Sequence, residues 1–306
     1  MPILLFVLFI SVAHAEPEYI SSQQNHIVPP APQARPVVPQ TAYPMPTFET
    51  TPLYRTDDNK PATTSQPDSR TAALPARLKV LIIGDSHSVG RFGSQLYTRF
   101  ASLPSVEAVS YASCGSSASS WFNHWRTNCG YIARPSMAHA SRSGKTPYIP
   151  DVVNHFEPNI VVVELGGNAV RQSEATFNES IRQFKLAMDS KNITCFWAGP
   201  PSADPAKAPA ARAGAGLELF YRKLQLALGN RCTFFDSRPH TPYTATGRDG
   251  VHFGGPEGIA VVTSWANAYF TSVISTLCNG NNSEPVPAYC QPQSQRNMFN
   301  LFSSGF

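Results

Sequence analysis

The sequence predicts one α/β domain with a parallel β-sheet, preceded by a long proline-rich segment. Three observations lead to this prediction. Strand-like and helix-like runs alternate from residue 78 onward, the strand-like run NIVVVELGG begins with an unbroken apolar stretch, and residues 16–77 hold 12 of the 28 prolines. Strands that are apolar on both sides are typical of a parallel sheet with helices on its two faces.

The composition supports a division into folded and extended parts. Charged residues make up only 14% of the 306 residues, against about 25% in typical globular proteins. The net charge of +4 is mild and no block of Lys or Arg is present, so the chain lacks the electrostatic footprint of a nucleic-acid-binding protein. The composition also excludes a coiled coil and a wholly disordered chain.

The first residues are typical of a secretory signal. The run ILLFVLFISV is followed by Ala13-His14-Ala15, which places small residues one and three positions before Glu16. We expect residues 1–15 to be cleaved and the protein to be exported to the periplasm or the extracellular space, with an uncleaved short anchor as the alternative. No stretch reaches the ~20 apolar residues of a transmembrane helix, so none is expected in the mature chain.

Residues 16–77 are predicted to form a disordered linker. A proline-rich chain without periodic apolar residues cannot bury enough surface to offset its ordering entropy. We interpret the segment as a tether, either a spacer toward an unknown envelope partner or a leader without a specific ligand. The folded domain is expected over residues 78–306.

Within this domain the elements are predicted from apolar periodicity and flanking turns. The first strand is KVLIIGDS (79–86), and a helix over 88–103 follows because apolar residues recur there at helical spacing. The other strands are predicted over 106–113, 159–167, 193–200 and 232–237. The other helices are predicted over 174–190, 217–228 and 258–277. This alternation predicts a parallel sheet of about five strands.

Six cysteines in an exported chain are expected to form three disulfides. A sequential connectivity is the simplest, because two cysteines lie in strands predicted to be neighbours and the other four close short loops. The expected pairs are Cys114–Cys129, Cys195–Cys232 and Cys278–Cys290. No CxxC pair exists, which disfavours a metal site built from cysteines. Other disulfide connectivities and a reactive thiol are the remaining alternatives.

Polar residues follow the predicted strands at their carboxyl ends, where ligand sites form in open parallel sheets. Ser86 ends the first strand and would begin a helix, where free N–H groups favour developing negative charge. His252 can act as its general base, and Asp249, three residues earlier, can hold the imidazole in the required tautomer. The sequence therefore predicts a catalytic triad of Ser86, His252 and Asp249, with a loop hydrogen bond between the last two as the structural alternative.

Acyl transfer also needs hydrogen-bond donors for the oxyanion of the tetrahedral intermediate. The backbone N–H groups of Ser86 and Gly115 and the side-chain amide of Asn168 are predicted to supply them. Each residue has a structural alternative, because Ser86 is also a suitable helix N-cap, and Gly115 and Asn168 are also suitable turn residues.

Further residues near these motifs are candidates for substrate binding. His87 is predicted either to line the pocket or to be a satisfied structural histidine. Trp121, Trp125 and Tyr131 are predicted either to form a sugar-stacking wall or to pack in the core. Asp85 is expected to hydrogen-bond nearby backbone. No metal ion and no cofactor are predicted.

In this order the motifs resemble the four blocks of the SGNH (GDSL-type) hydrolases, namely Gly84-Asp85-Ser86, Gly115, Gly166-Gly167-Asn168 and Asp249-x-x-His252. The resemblance covers about residues 78–277 and implies a flavodoxin-like three-layer α/β/α sandwich, ester chemistry and no metal. Two positions depart from the family: His87 replaces the usual Leu, and Ala169 replaces the Asp that usually follows the third-block Asn. The GDSH sequence is similar to SGNH domains of sugar O-acyltransferases, which favours a carbohydrate substrate.

The sequence therefore predicts an exported serine esterase that removes O-acetyl groups from an envelope or extracellular polysaccharide such as peptidoglycan. Three alternatives remain. A polysaccharide O-acetyltransferase would use the same acyl-enzyme, a lipase is disfavoured because no amphipathic lid is recognisable, and a non-catalytic envelope-binding module would keep only the fold. The expected partner is the polysaccharide, and nucleic acid is not expected.

Overall fold

The computed structural model of the protein describes residues 77–279 and 286–291. The predicted signal peptide, residues 1–15, and the predicted linker up to residue 76 lie outside the described residues, so both stay predictions. None of the helices in the described part of the chain has the length and the apolar character that crossing a membrane requires.

A six-stranded sheet lies at the centre of the described domain. Its strands are β1 Leu78–Gly84, β2 Val106–Ser113, β4 Tyr131–Arg134, β6 Ile160–Glu164, β7 Thr194–Ala198 and β8 Cys232–Phe235. Two further strands of two residues each, β3 Arg126–Thr127 and β5 Gly144–Lys145, pair with each other outside this sheet.

The strand order identifies the fold. The sheet runs β4-β2-β1-β6-β7-β8, and all neighbouring strands are parallel except β4, which pairs antiparallel with β2. The parallel strands, taken in chain order, therefore have the 2-1-3-4-5 arrangement of flavodoxin-like folds. The expected α/β fold with a parallel sheet of about five strands is confirmed, and the antiparallel edge strand β4 is an addition that was not predicted.

Helices cover both faces of the sheet. They are α1 Ser86–Val89, α2 Arg91–Ala101, α3 Ile149–Phe156, α4 Glu174–Asp189, α5 Gly214–Leu228 and α6 Gly255–Asn279. Buried apolar residues of α3, α4 and α5 form one core cluster, and those of α2 and α6 form the other. This gives the three-layer sandwich that the sequence motifs imply.

The apolar run from Val80 to Ile83 in β1 follows from these two cores. Leu81 and Ile83 belong to the cluster under α3, α4 and α5, whereas Val80 and Ile82 belong to the cluster under α2 and α6. Successive side chains of a strand point to opposite faces of the sheet, so a central strand covered on both sides is apolar at consecutive positions, and Lys79 near its start is only partly buried.

The helix predicted over 88–103 is divided in two by Gly90, which has extended backbone angles. The division brings the start of α2 against the end of α1. A Cβ atom on Gly93 would lie 2.0 Å from the carbonyl oxygen of Ser88, so this close approach requires glycine. The short helix α3 was not predicted.

The three disulfides join Cys114 to Cys129, Cys195 to Cys232, and Cys278 to Cys290. They are the sequential pairs expected from the sequence. Cys195 and Cys232 lie directly opposite each other in the adjacent strands β7 and β8. The first disulfide closes the loop that follows β2, where Gly115 lies, and the third ties the end of α6 to residues 286–291. Disulfides of this number are typical of exported proteins.

We expect the double substitution Cys114→Ser and Cys129→Ser to lower the free energy of unfolding by about 2–4 kcal/mol, because the bond restricts the unfolded chain. Equilibrium unfolding in urea measures the change. As a control, thiol titration of the unfolded and unreduced wild-type protein should find no free cysteine. Free thiols in the wild type, or equal stability of the two proteins, would contradict the disulfide assignment.

Candidate active site

The candidate active site lies at the carboxyl end of β1, where α1 begins. Asp85 is the N-cap of α1 and its Oδ1 accepts the backbone N–H of His87 at 3.1 Å. Ser86 is therefore not the N-cap, and the structural alternative considered for it does not apply. It is instead the first residue of the helix, half-buried, with its hydroxyl directed toward the loop that follows β8.

Three side chains form a continuous chain of contacts at this point. The Oγ atom of Ser86 lies 2.8 Å from Nε2 of His252, and Nδ1 of the same ring lies 2.5 Å from Oδ2 of Asp249. The other carboxylate oxygen of Asp249 accepts the backbone N–H groups of Val251 and His252, each at 3.0 Å. The structure thus brings together all three residues that the sequence analysis grouped as a triad.

The electrostatics of Asp249 suit this geometry. Partial burial would raise the pKa of its carboxyl, but the hydrogen bonds from the His252 ring and from the two backbone N–H groups lower the pKa to about 2. The carboxylate therefore stays ionised at neutral pH and accepts the proton on Nδ1 of His252. Nε2 is then the nitrogen without a proton, and it can accept the Ser86 hydroxyl.

The loop that carries Asp249 and His252 depends on one glycine. Gly250 has a φ of +68°, and a Cβ atom there would lie 2.7 Å from Cβ of Lys207 and 2.9 Å from the nitrogen of Ala208. Only glycine satisfies both the left-handed backbone and the close packing. The turn at Gly250 lets the side chains of Asp249 and His252 approach each other.

Asn168 follows β6 and reaches the same edge of the sheet. Its Nδ2 donates to the carbonyl oxygen of Ser116 at 2.9 Å and to Oδ2 of Asp85 at 3.2 Å. Its Oδ1 accepts a hydrogen bond from Nη2 of Arg212 at 2.7 Å. Gly115 lies in the turn after β2 with a φ of +78° and an exposed backbone. Both residues remain candidates for the oxyanion hole.

A small cavity with a mouth open to solvent lies beside Ser86. Its apolar wall is formed by Val170, Pro200, Pro201, Ala203 and Leu217. Its polar wall is formed by Asp85, Ser86, His87, Asn168 and Arg212. It lies between the ends of β1 and β6, where the strand order reverses, which is the usual ligand position in this type of sheet.

The expected aromatic wall is not found at this cavity. Trp121 is completely buried and belongs to the core cluster under α4, so of its two predicted roles the core-packing one is confirmed and the sugar-stacking one is wrong. It lies in a short 3₁₀ turn that packs into the core, and its indole Nε1 has no hydrogen-bond acceptor among the described residues. Trp125 is 43% exposed and Tyr131 is half-buried, and neither lines the cavity.

A second Asp–His pair lies buried behind the first. Nδ1 of His87 is 3.3 Å from Oδ1 of Asp85 and 4.0 Å from Oε1 of Glu164, and its Nε2 is 3.2 Å from the carbonyl oxygen of Val251. Burial lowers the pKa of His87, but Asp85, Glu164 and the Val251 carbonyl raise it to about 9. The ring is therefore an imidazolium with both nitrogens donating. His87 lines the cavity and is also a satisfied structural residue.

Glu164 completes this buried cluster and was missed in the sequence. It ends β6, and its Oε2 accepts the hydroxyl of Ser88 at 2.8 Å. Burial and the nearby charge of Asp85 raise the pKa of its carboxyl well above the usual value. Asp85, His87 and Glu164 are also close enough together to hold a cation, but a cation would have to displace the His87 proton. The only sequence signal for the role of Glu164 is its position as an acidic residue at the end of an apolar strand.

The buried histidine also positions the exposed one. Val251 directly precedes His252, so the bond from His87 Nε2 to the Val251 carbonyl fixes the loop beside the nucleophile. The two imidazole rings stack with their centroids 5.0 Å apart. His87 therefore positions His252 in two ways: through its hydrogen bond to the carbonyl of Val251 and through the stacking of the two rings.

Comparisons with known proteins bear on this architecture. No protein-family model and no curated protein matches the chain. Similar solved structures include an aryl esterase from M. smegmatis, at 15% identity and a TM-score of 0.45 over 65% of this chain and 99% of that chain. Another is a GDSL-like lipase from Bacteroides thetaiotaomicron, at 15% identity and a TM-score of 0.43 over 66% and 94%. A third is a family 3 carbohydrate esterase from Talaromyces cellulolyticus, at 14% identity and a TM-score of 0.44 over 66% and 99%.

The buried cluster predicts a pH dependence of stability. The folded protein keeps the His87 proton up to a pKa of about 9, whereas the unfolded chain loses it near 6.5. The stabilisation is therefore complete below pH 6.5 and is lost as the pH rises to 9. We expect the free energy of unfolding to fall by roughly 1–3 kcal/mol over this range, measured by urea unfolding at each pH.

Two variants test whether His87 is the cause. In His87→Gln the decrease between pH 6.5 and 9 should largely disappear, because the titrating group is gone. In the control His155→Gln, which alters an exposed residue of α3, the decrease should persist. An unchanged slope in His87→Gln would show that other groups cause it.

Proposed function

We propose that the protein is an exported serine esterase that removes O-acetyl groups from an envelope or extracellular polysaccharide such as peptidoglycan. One observation carries this proposal: the hydroxyl of Ser86, the ring of His252 and the carboxylate of Asp249 are in hydrogen-bonding contact in the order that nucleophilic acyl transfer requires. The adjoining cavity supports it, because it opens directly beside Ser86 and has both an apolar and a polar wall.

The proposed reaction follows from these contacts. Oγ of Ser86 attacks the ester carbonyl carbon while Nε2 of His252 takes the hydroxyl proton, and Asp249 stabilises the imidazolium that forms. The same proton passes to the sugar oxygen as the bond between that oxygen and the carbonyl carbon breaks. Water then attacks the acyl-enzyme with His252 again as base, which releases acetate and restores the Ser86 hydroxyl.

We propose the backbone N–H groups of Ser86 and Gly115 and the amide of Asn168 as donors to the oxyanion. Both amide hydrogens of Asn168 already have acceptors, Ser116 and Asp85, and the contact with Asp85 is the longer at 3.2 Å. An oxyanion would compete with Asp85 for the Asn168 hydrogen that Asp85 now accepts. Asp85 would still be bound by the backbone N–H and the ring of His87.

The accessibility of the site supports a polymeric substrate. The side chains of His252 and Asp249 are 48% and 53% exposed, so a sugar chain can lie across them without a lid having to open. The three disulfides are consistent with an exported protein. A sugar hydroxyl could replace water in the second step, which would make the same site an O-acetyltransferase.

We expect Ser86→Ala to reduce acetate release from O-acetylated peptidoglycan and from an aryl acetate by about 10³-fold or more, because the nucleophile is lost. The purified full chain is assayed, and a fluorophosphonate probe should label the wild type at Ser86 only. The control Ser102→Ala removes an exposed hydroxyl at the end of α2 and should retain full activity.

The possible outcomes separate the candidate functions. Full activity of Ser86→Ala would refute the triad. Labelling at Ser86 without acetate release in water, but with acetyl transfer to an added sugar acceptor, would identify a transferase. A folded wild-type protein that is neither labelled nor active would identify a binding module.

A second prediction concerns the oxyanion. We expect Asn168→Ala to lower kcat on the aryl acetate by about 10²–10³-fold with a much smaller change in KM, because the lost donor acts on the transition state. The control Asn178→Ala alters an exposed residue of α4 and should leave both constants unchanged. An equal loss of kcat and binding would argue against an oxyanion role for Asn168.

A further inference from the structure

Arg212 is a cationic residue of the cavity that the sequence alone did not identify. It ends the short 3₁₀ turn Ala210–Arg212, just before α5, and it lines the same cavity as Ser86 and Asn168. Its Nη2 donates to Oδ1 of Asn168 at 2.7 Å. The guanidinium therefore lies next to the proposed reaction centre.

The charge of Arg212 is not neutralised by the protein. Within the part of the chain that the structure describes, no carboxylate forms an ion pair with it, whereas Arg238 pairs with both Asp236 and Glu218. Its Nε is buried, and no described group accepts a hydrogen bond from it. A partly buried cation without a counterion is unfavourable, and burial accordingly lowers the pKa of Arg212.

The acidic residues nearest to this charge are already engaged. Asp85 and Asp249 both attract the guanidinium, while Arg171 repels it. Asp85 is held by His87 and Asn168, and Asp249 is held by His252. Neither carboxylate can turn to Arg212 without breaking the contacts that hold the site together. No carboxylate of the described residues is therefore free to form an ion pair with Arg212.

We propose that Arg212 binds a carboxylate carried by the substrate, so that the preferred ester is anionic close to the scissile bond. This inference rests on the proposed esterase function. A guanidinium is planar, stays charged and forms paired hydrogen bonds with a carboxylate, and only one of its five N–H donors is used by Asn168. The carboxylate belongs either to the sugar, as in a uronate, or to the acyl group, as in a dicarboxylic half-ester.

The test compares three kinds of methyl glycoside ester that differ in where a carboxylate is placed. They are the mono-O-acetyl methyl glucuronosides, with the charge on the sugar; the mono-O-succinyl methyl glucosides, with the charge on the acyl group; and the neutral mono-O-acetyl methyl glucosides. Each is assayed as its separate positional isomers with the full chain. We expect at least one charged ester to exceed its neutral counterpart in kcat/KM by about 10- to 100-fold.

Three variants assign the preference. Arg212→Gln keeps a donor for Asn168 but loses the charge, so the preference should fall to within about 3-fold of unity. Arg212→Lys keeps the charge without the planar pair of donors and should retain part of the preference. The control Arg182→Gln removes an exposed arginine paired with Glu179 and should behave as the wild type.

The outcomes that overturn the proposal are distinct from failure of the esterase itself. Equal kcat/KM for charged and neutral esters in the wild type would overturn it, as would a preference that survives in Arg212→Gln. An equal loss on all three esters in Arg212→Gln would show that the residue only orients Asn168. Absence of serine-dependent activity on every ester, including the aryl acetate, would instead refute the proposed function.

Discussion

A single buried carboxylate, that of Asp85, connects all parts of the candidate site. Its Oδ1 caps the helix that begins with Ser86 and faces the ring of His87, and its Oδ2 accepts the amide of Asn168. Through His87 it also reaches the carbonyl of Val251, and so the loop of His252. An ionised carboxylate without partners would be costly at this depth, and here each oxygen has a donor. The same contacts that satisfy Asp85 therefore position Ser86, His252 and Asn168, the proposed nucleophile, general base and oxyanion donor.

The topology of the sheet makes this convergence possible. Strand β1 lies between β2 and β6, and Gly84 at its end is level with Ala112 on one side and Glu164 on the other. Side chains that follow the three strands therefore meet at one edge, although they are far apart in sequence. Gly84 leaves the space that this requires, because a Cβ atom there would lie 1.9 Å from Oγ of Ser88, which itself bonds to Glu164.

Short stretches of sequence were enough to predict the strands and the polar motifs that follow them. All five parallel strands were predicted from apolar and β-branched residues bounded by turn residues, although β2 also contains polar residues such as Glu107 and Ser110. Short polar motifs identified the residues that follow the strands. The edge strand β4 was missed because its four residues, YIAR, carry no apolar run. The sequence left two roles open for Trp121, because a tryptophan near a motif has the same sequence signal whether it faces a ligand or the core, and the structure places it in the core. Glu164 and Arg212 were missed because their roles arise from groups distant in sequence, which only the folded chain brings together.

The two stacked Asp–His pairs differ in the one property that decides their roles, which is access to solvent. His87 is buried, and its two ring nitrogens donate to Asp85 and to the Val251 carbonyl. Neither ring proton is therefore placed for transfer to a reacting group. His252 is half exposed and uses only Nδ1 to bind its carboxylate, which leaves Nε2 to exchange a proton with Ser86 and then with a leaving group. The depth at which each pair lies therefore separates their proposed roles. The buried Asp85–His87 pair supports the loop of His252, and the exposed Asp249–His252 pair is the one that can exchange a proton with Ser86.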